Sequence, residues 1–197
     1  MKWTIDKSFN FDYGHRVWSQ QLDGEFTGSA GECLACRHLH GHSGVIKVHL
    51  SSDKLERGMV TDFKMLGWFK DFLDNVLDHK FIMDLNDPLI PHEAPDYCKA
   101  EYTSGTMELP TLTLDLSNCK HYPEGYWTPD LTWLHHDVPQ AVREKYEGMV
   151  FVPFVPTSEN LSAWLLEIAQ AKMAKLGVDV VAVEFWETPK SHCKVEV

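Results

Sequence analysis

The stretch KWTIDKSFNFDYGH, residues 2–15, alternates apolar and polar side chains along most of its length. One parity carries the apolar residues Trp3, Ile5, Phe9, Phe11 and Tyr13. Lys7 interrupts this apolar face and His15 ends it. Because successive side chains of a strand point to opposite faces, the pattern predicts a half-buried strand with a histidine at the end of its buried face.

A second strand is predicted over 43–51, where Ile46, Val48 and Leu50 share one face. Extended backwards, the same parity includes His42 and His40 of the run HGH. Two histidines at i and i+2 of an extended segment point the same way, so both rings could reach one metal ion. The alternative is a turn that carries two surface histidines.

Capping residues mark two helices. Asp62 can cap a helix that runs to about Asp78. Thr157 can cap a second helix over about 157–176, and Gly177 can stop it.

A third strand is predicted over 178–187 and a short final strand over 191–197. One parity of the third strand carries Val181, Val183, Phe185 and Glu187. A buried carboxylate there needs a partner, and the paired N–H groups of a ligand would serve. The alternative is a glutamate at the strand end that reaches water.

Residues 86–150 are rich in Pro, Asp, Tyr and His and show weak periodicity, with a short helix predicted near 139–147. A structureless loop of this length is improbable in a compact domain, so we expect an ordered insertion of short elements. Outside it the order is ββααββ. The whole chain, 1–197, is expected to form a single α+β domain.

Composition argues against several functions. The net charge of −11 disfavours binding to nucleic acid, because an acidic surface repels phosphates. No apolar run approaches the ~18 residues of a spanning helix, and no secretory signal is visible. We therefore expect a soluble, cytoplasmic protein whose five cysteines are thiols, metal ligands or a nucleophile.

The histidines give the strongest indication of a functional site. With His15 as a third nitrogen beside His40 and His42, a fourth tetrahedral position stays open, as in catalytic zinc sites. Cys36 lies four residues before His40, where a nearby cation would favour its thiolate as a base or nucleophile. Alternatives are a buried apolar thiol or a CxxC metal site of Cys33 and Cys36, which lacks a second pair at suitable spacing.

Asp78 and His79 follow one another at the predicted end of the first helix. A carboxylate beside an imidazole can orient a general acid or base. The alternative is a histidine that simply interacts with the helix dipole. In the insertion, scattered groups could form a second metal site, although surface histidines are favoured: His92, Cys98, Cys119, His121, His135 and His136.

Six motifs together resemble the 6-pyruvoyl-tetrahydropterin synthase and 6-carboxy-tetrahydropterin synthase family. They are FDYGHRV (11–17), CRHLHGHS (36–43), GMVTDF (58–63), LDHKF (77–81), PTSENLSAW (156–164) and VEFWET (183–188). The resemblance implies the tunnelling fold, a ββααββ antiparallel sheet with two helices on one face, here with about 65 residues inserted between the helices. It also implies homo-oligomers, as trimers or hexamers.

The resemblance also implies roles for individual residues. His15, His40 and His42 match the Zn²⁺ ligands, and Cys36 the catalytic cysteine. Asp78 and His79 match the family's catalytic pair, and Glu187 matches the glutamate that anchors the pterin. Thr157 and Ser158 match a segment that completes the substrate pocket, commonly from a neighbouring subunit.

The spacing CxxxHGH is similar to that of the 6-carboxy-tetrahydropterin synthases of 7-deazaguanine (queuosine-type) biosynthesis. It implies a zinc lyase that converts 7,8-dihydroneopterin triphosphate to 6-carboxy-5,6,7,8-tetrahydropterin, acetaldehyde and triphosphate. The alternatives are a 6-pyruvoyl-tetrahydropterin synthase, a zinc hydrolase, or a pterin-binding module without turnover.

Overall fold

The computed structural model describes residues 1–28, 34–102 and 110–197, which form an α+β structure. The strands are β1 (Trp3–His15), β2 (His40–Ser52), β3 (Lys80–Asp84), β4 (Cys98–Glu101), β5 (Thr111–Leu114), β6 (Cys119–Tyr122), β7 (Tyr126–Pro129), β8 (Met149–Val152), β9 (Asp179–Thr188) and β10 (Ser191–Glu196). The α-helices are α1 (Gly24–Thr27), α2 (Gly67–Phe72), α3 (Ile90–Glu93), α4 (Gln140–Glu147) and α5 (Ser158–Met173). No described helix combines the length and apolar composition needed to cross a membrane.

The chain divides into two compact units. The first contains Met1–Gly14, Gly41–His79 and Thr157–Val197, and the second contains His15–His40 and Lys80–Pro156. The expectation of a single domain with an insertion at 86–150 stays a prediction.

In the first unit, neighbouring strands follow the order β10-β9-β2-β1. β9 pairs antiparallel with both β2 and β10. The helix α5 packs against β9 and β10, and the ring of Phe69 in α2 contacts Phe9 of β1. The buried face of β1 carries Phe9, Phe11 and Tyr13, as the alternation predicts.

The two predicted helices of this unit are confirmed. The side chain of Asp62 accepts a hydrogen bond from the N–H of Lys64, and a 3₁₀ turn, α2 and a π-helical turn (Leu73–Leu77) follow in succession. The side chain of Thr157 caps α5 by accepting from Asn160 N–H. After a last 3₁₀ turn, Gly177 adopts a left-handed conformation that ends the helix.

The predicted parity of the third strand is wrong at one residue. The register of β2 and β9 shifts between the pairs His49–Ala182 and Leu50–Val180, which leaves Val181 as an extra residue. Val180 and Ala182 are therefore buried while Val181 is only half-buried. Beyond this bulge the predicted alternation holds.

In the second unit, neighbouring strands follow the order β3-β8-β7-β6. β3 and β8 are parallel, β7 is antiparallel to β8 and β6, and β4 and β5 form a separate antiparallel pair. The core around Tyr97, Tyr146 and Phe151 is fully buried. Short elements therefore order the described part of 86–150, and α4 confirms the helix predicted near 139–147. The strand β3 was not predicted.

Candidate metal centre and active site

Three histidines converge where β1 ends and β2 begins. One ring nitrogen from each of His15, His40 and His42 lies within 4.8 Å of the others. His15 is fully buried, whereas His40 and His42 are half-buried. The strand alternation that predicted this grouping places His40 and His42 on one side of β2.

Main-chain carbonyls hold two of these rings. The Nδ1 atom of His15 lies 2.6 Å from the oxygen of Pro156, and Nδ1 of His40 lies 2.8 Å from the oxygen of His38. Because a carbonyl can only accept, each Nδ1–H donates, and the Nε2 atom of the neutral ring carries the lone pair. Metal-binding histidines characteristically show this arrangement. The donor set therefore fits a zinc ion.

Gly41 is the residue between His40 and His42. It lies where β2 comes close to the main chain of β1. A Cβ atom at this position would lie 2.8 Å from the carbonyl oxygen of Tyr13, nearer than real Cβ contacts come. The glycine of HGH is therefore a steric requirement of this part of β2.

Glu187 lies beside His42, on the same parity of β9 as the buried Phe185. Its Oε1 atom is 3.6 Å from Nε2 of His42, and its side chain is 26% exposed. The rings of Tyr13 and His42 are 5.8 Å apart. Burial, and secondarily the charge of Glu187, raises the pKa of Tyr13 well above its usual range, so this phenol stays protonated.

Cys36 lies in a short 3₁₀ turn, Ala35–Arg37. The carbonyl of Cys36 accepts a 2.7 Å hydrogen bond from the N–H of Val17, two residues after His15. Its thiol is free and half-buried, and it does not join the histidine group. Cys33, the other member of the CxxC alternative, lies outside the described residues.

Asp78 and His79 form a hydrogen-bonded pair, with Oδ2 of Asp78 2.9 Å from Nδ1 of His79. The main chain of Asp12 binds both residues: its N–H donates to Asp78 Oδ1 at 2.7 Å, and its carbonyl accepts from His79 N–H at 2.6 Å. The bond from Asp12, above all, lowers the pKa of Asp78. His79 has φ of 57°, a strained conformation of the kind that functional sites often hold.

The Asp78–His79 pair lies on the side of β1 and β2 opposite to the side chains of Tyr13 and His42. Asp12 and Ser43 are the sequence neighbours of those two residues, so their side chains point to the other side of β1 and β2. The hydroxyl of Ser43 donates to Asp12 Oδ1 at 2.5 Å, and the two residues line a cavity of about 320 Å³ with Asp78 and His79. Sequence analysis missed Asp12 and Ser43, although their parity would have indicated this second face.

The remaining predicted residues have local roles. Thr157 caps α5, and the carbonyl of Ser158 accepts from Ser162 Oγ. Three basic residues near the motifs are engaged within the chain: Arg16 pairs with Asp87, Arg37 donates to the carbonyl of Gln20, and Lys80 donates to that of Glu147.

The candidate ligands of the insertion do not converge as one set. Of these candidates, which all lie in the described part of the chain, only His135 and His136 join a group that could hold a metal ion, together with Asp137. Cys98 and Cys119 are half-buried thiols, and burial raises the pKa of Cys119 to about 12.

Comparison with known proteins shows the family of the chain. The family model described as 6-pyruvoyl tetrahydropterin synthase matches residues 4–197. The chain belongs to the 6-pyruvoyl tetrahydropterin synthase family. A 6-carboxy-5,6,7,8-tetrahydropterin synthase of Aquifex aeolicus is 32% identical over 205 residues, which cover 98% of each protein.

Solved structures extend the comparison. A crystal structure of an uncharacterized protein from Wolinella succinogenes is 45% identical, with a TM-score of 0.87, and covers 100% of this chain and 98% of its own. The 6-pyruvoyl tetrahydropterin synthase of Caenorhabditis elegans is 18% identical with a TM-score of 0.51, over 100% of this chain and 96% of its own. The second similarity concerns the fold alone.

Proposed function

We propose that this family member is a 6-carboxy-tetrahydropterin synthase. It converts 7,8-dihydroneopterin triphosphate and water to 6-carboxy-5,6,7,8-tetrahydropterin, acetaldehyde and triphosphate, in cytoplasmic 7-deazaguanine biosynthesis. The observation that carries the proposal is the histidine group with Glu187 next to His42. The full-length relative of that name in Aquifex aeolicus supports the choice of product.

His15 and His40 would hold Zn²⁺ through the ring nitrogens that are not bound to carbonyls, together with a ring nitrogen of His42. A zinc ion bound there supplies Lewis-acid polarisation of substrate hydroxyl groups. The residues of the chain then provide recognition and proton transfer.

Glu187 would recognise the pterin ring. A carboxylate can accept side by side from the amino group and the ring N–H of a pterin. Its position near the edge of an aromatic cluster, with Tyr13 and Phe185, supplies apolar surface next to the charged anchor. Thr157 and Ser158 are proposed to complete the pocket.

Cys36 and His79 would move protons at the side-chain carbons of the substrate. Cys36 takes the proton as a thiolate, and Asp78 keeps Nδ1 of His79 oriented, so that the other ring nitrogen faces the substrate. Because Asp78 and His79 open onto the face opposite to His42, we propose that a second copy of the chain completes each site. The working enzyme is then a homo-oligomer, a trimer or a hexamer of tunnelling-fold subunits.

Product analysis tests this function. Purified protein is loaded with zinc and incubated with dihydroneopterin triphosphate, and the products are identified by mass. Acetaldehyde and 6-carboxy-tetrahydropterin are expected. A product that keeps the whole side chain would instead identify a 6-pyruvoyl-tetrahydropterin synthase, and tight pterin binding without turnover would identify a binding module.

A further inference from the structure

A second group of metal-binding side chains lies immediately before α4. One ligand atom from each of His135, His136 and Asp137 lies within 4.8 Å of the others. The two rings have their centroids 4.1 Å apart. All three side chains are open to solvent, with exposed fractions of 68%, 81% and 75%.

The carboxylate of Asp137 directs one oxygen at each ring. Its Oδ1 atom is 3.1 Å from Nε2 of His136, and its Oδ2 atom is 3.4 Å from Nδ1 of His135. The main-chain N–H of Asp137 also approaches His135 Nδ1, at 3.3 Å. Because an N–H can only donate, Nδ1 carries a lone pair in this arrangement. A cation can take this lone pair in place of the long 3.3 Å N–H contact, and Oδ2 of Asp137, 3.4 Å from Nδ1, can bind the same ion.

The main chain beneath the group is fixed by bonds that do not involve the three side chains. The guanidinium of Arg143 donates to the carbonyl of His135 at 2.6 Å, and Val138 N–H donates to the same oxygen at 3.1 Å. Leu134 is buried in the core of this unit. The ligands therefore project from a supported loop, which lowers the cost of arranging them around an ion.

We propose that His135, His136 and Asp137 bind a divalent transition-metal ion, with Zn²⁺ as the representative case. Two imidazoles and one carboxylate are the donors that such ions accept in proteins. The remaining coordination positions face solvent. The net charge of −11 favours the approach of cations. None of the three ligands belongs to the histidine group of the proposed active site, and the inference does not depend on the proposed function.

Isothermal titration with Zn²⁺ tests the site. The full chain is first loaded with zinc and desalted, so that the proposed site of His15, His40 and His42 is already filled. A further event at one Zn²⁺ per chain is expected. His136→Ala and Asp137→Asn should each weaken this event by at least about tenfold, since even losing an outer-shell partner costs that much at metal sites.

His92→Ala is the matched control, because His92 is exposed in the same unit and lies outside this group. It should leave the further event unchanged, and His42→Ala should also retain it. Absence of the event from the wild-type chain would overturn the proposal. So would equal affinity in the wild-type, His136→Ala and Asp137→Asn proteins.

Discussion

His15 donates its Nδ1–H to the carbonyl of Pro156 over 2.6 Å. The bond joins the last residue of β1 to the residue that precedes the cap of α5. It fixes the plane of a fully buried ring and leaves Nε2 as its lone-pair atom. A main-chain carbonyl therefore orients this proposed metal ligand before any ion binds.

Removing one histidine of the group His15, His40 and His42 should prevent zinc binding. We expect His42→Ala to lose bound zinc and turnover together while the protein stays folded, because His42 is only half-buried and is not one of the buried core residues. Metal analysis of purified protein measures the zinc content, and His192→Ala is the control. Full zinc content in His42→Ala would remove His42 from the ligand set.

Cys36→Ala should lower turnover without changing the zinc content. The thiol lies outside the histidine group, so zinc content should stay at the wild-type value. Turnover should fall by roughly 10²–10⁴-fold, the usual contribution of a general acid or base. Cys193→Ala, another free thiol, serves as the control. Full activity in Cys36→Ala together with an inactive Cys33→Ala would assign the catalytic role to Cys33.

Glu187→Gln should weaken pterin binding. The variant keeps the size of the side chain but places an NH₂ donor against a donor of the ligand, and charge-assisted bonds contribute about 1.5–3 kcal/mol. The dissociation constant of a stable pterin analogue, measured by calorimetry, should rise by about one to two orders of magnitude. Glu184→Gln on the same strand is the control, and equal constants for Glu187→Gln and wild type would exclude the role.

Asp78 should contribute stability that depends on pH. Its pKa is lowered in the folded chain, mainly by the bond from Asp12 N–H. Because the native pKa is lowered, the ionised carboxylate stabilises the fold at pH values above its ordinary pKa of 3.8. This contribution disappears as the pH falls through the native pKa. Asp78→Asn should therefore be less stable by roughly 1 kcal/mol at neutral pH.

Urea unfolding at several pH values measures this difference. The wild-type and Asp78→Asn curves should converge as the medium becomes strongly acidic. A constant difference down to the lowest pH at which the protein folds would show that the effect comes from packing and not from the charge.

Gly41→Ala should disturb the fold and the metal centre together. The new Cβ would meet the Tyr13 carbonyl at 2.8 Å, so the two strands must separate locally. We expect a loss of about 1–3 kcal/mol in the free energy of unfolding, together with weaker zinc binding. Gly67→Ala in α2 is the matched control. Its Cβ meets nothing within 4 Å, and it should stabilise the helix by about 0.5–1 kcal/mol.

Local sequence patterns predicted the strands β1 and β2, the caps at Asp62 and Thr157, and the common direction of His40 and His42. These features depend on local rules: alternation along a strand, hydrogen bonds within the first turn of a helix, and the common direction of residues i and i+2. Such rules act over a few residues, so they can be read from the order of side chains alone.

Tertiary structure alone decided where the partners from distant parts of the chain lie. The bond from Asp12 to Asp78 crosses 66 residues and the bond from His15 to Pro156 crosses 141, so no local pattern could reveal either. The bulge at Val181 likewise arises from pairing with β2, because register is a property of two strands and not of one. The side of β1 on which Asp78 and His79 open was fixed in the same way, by contacts that form only when the chain folds.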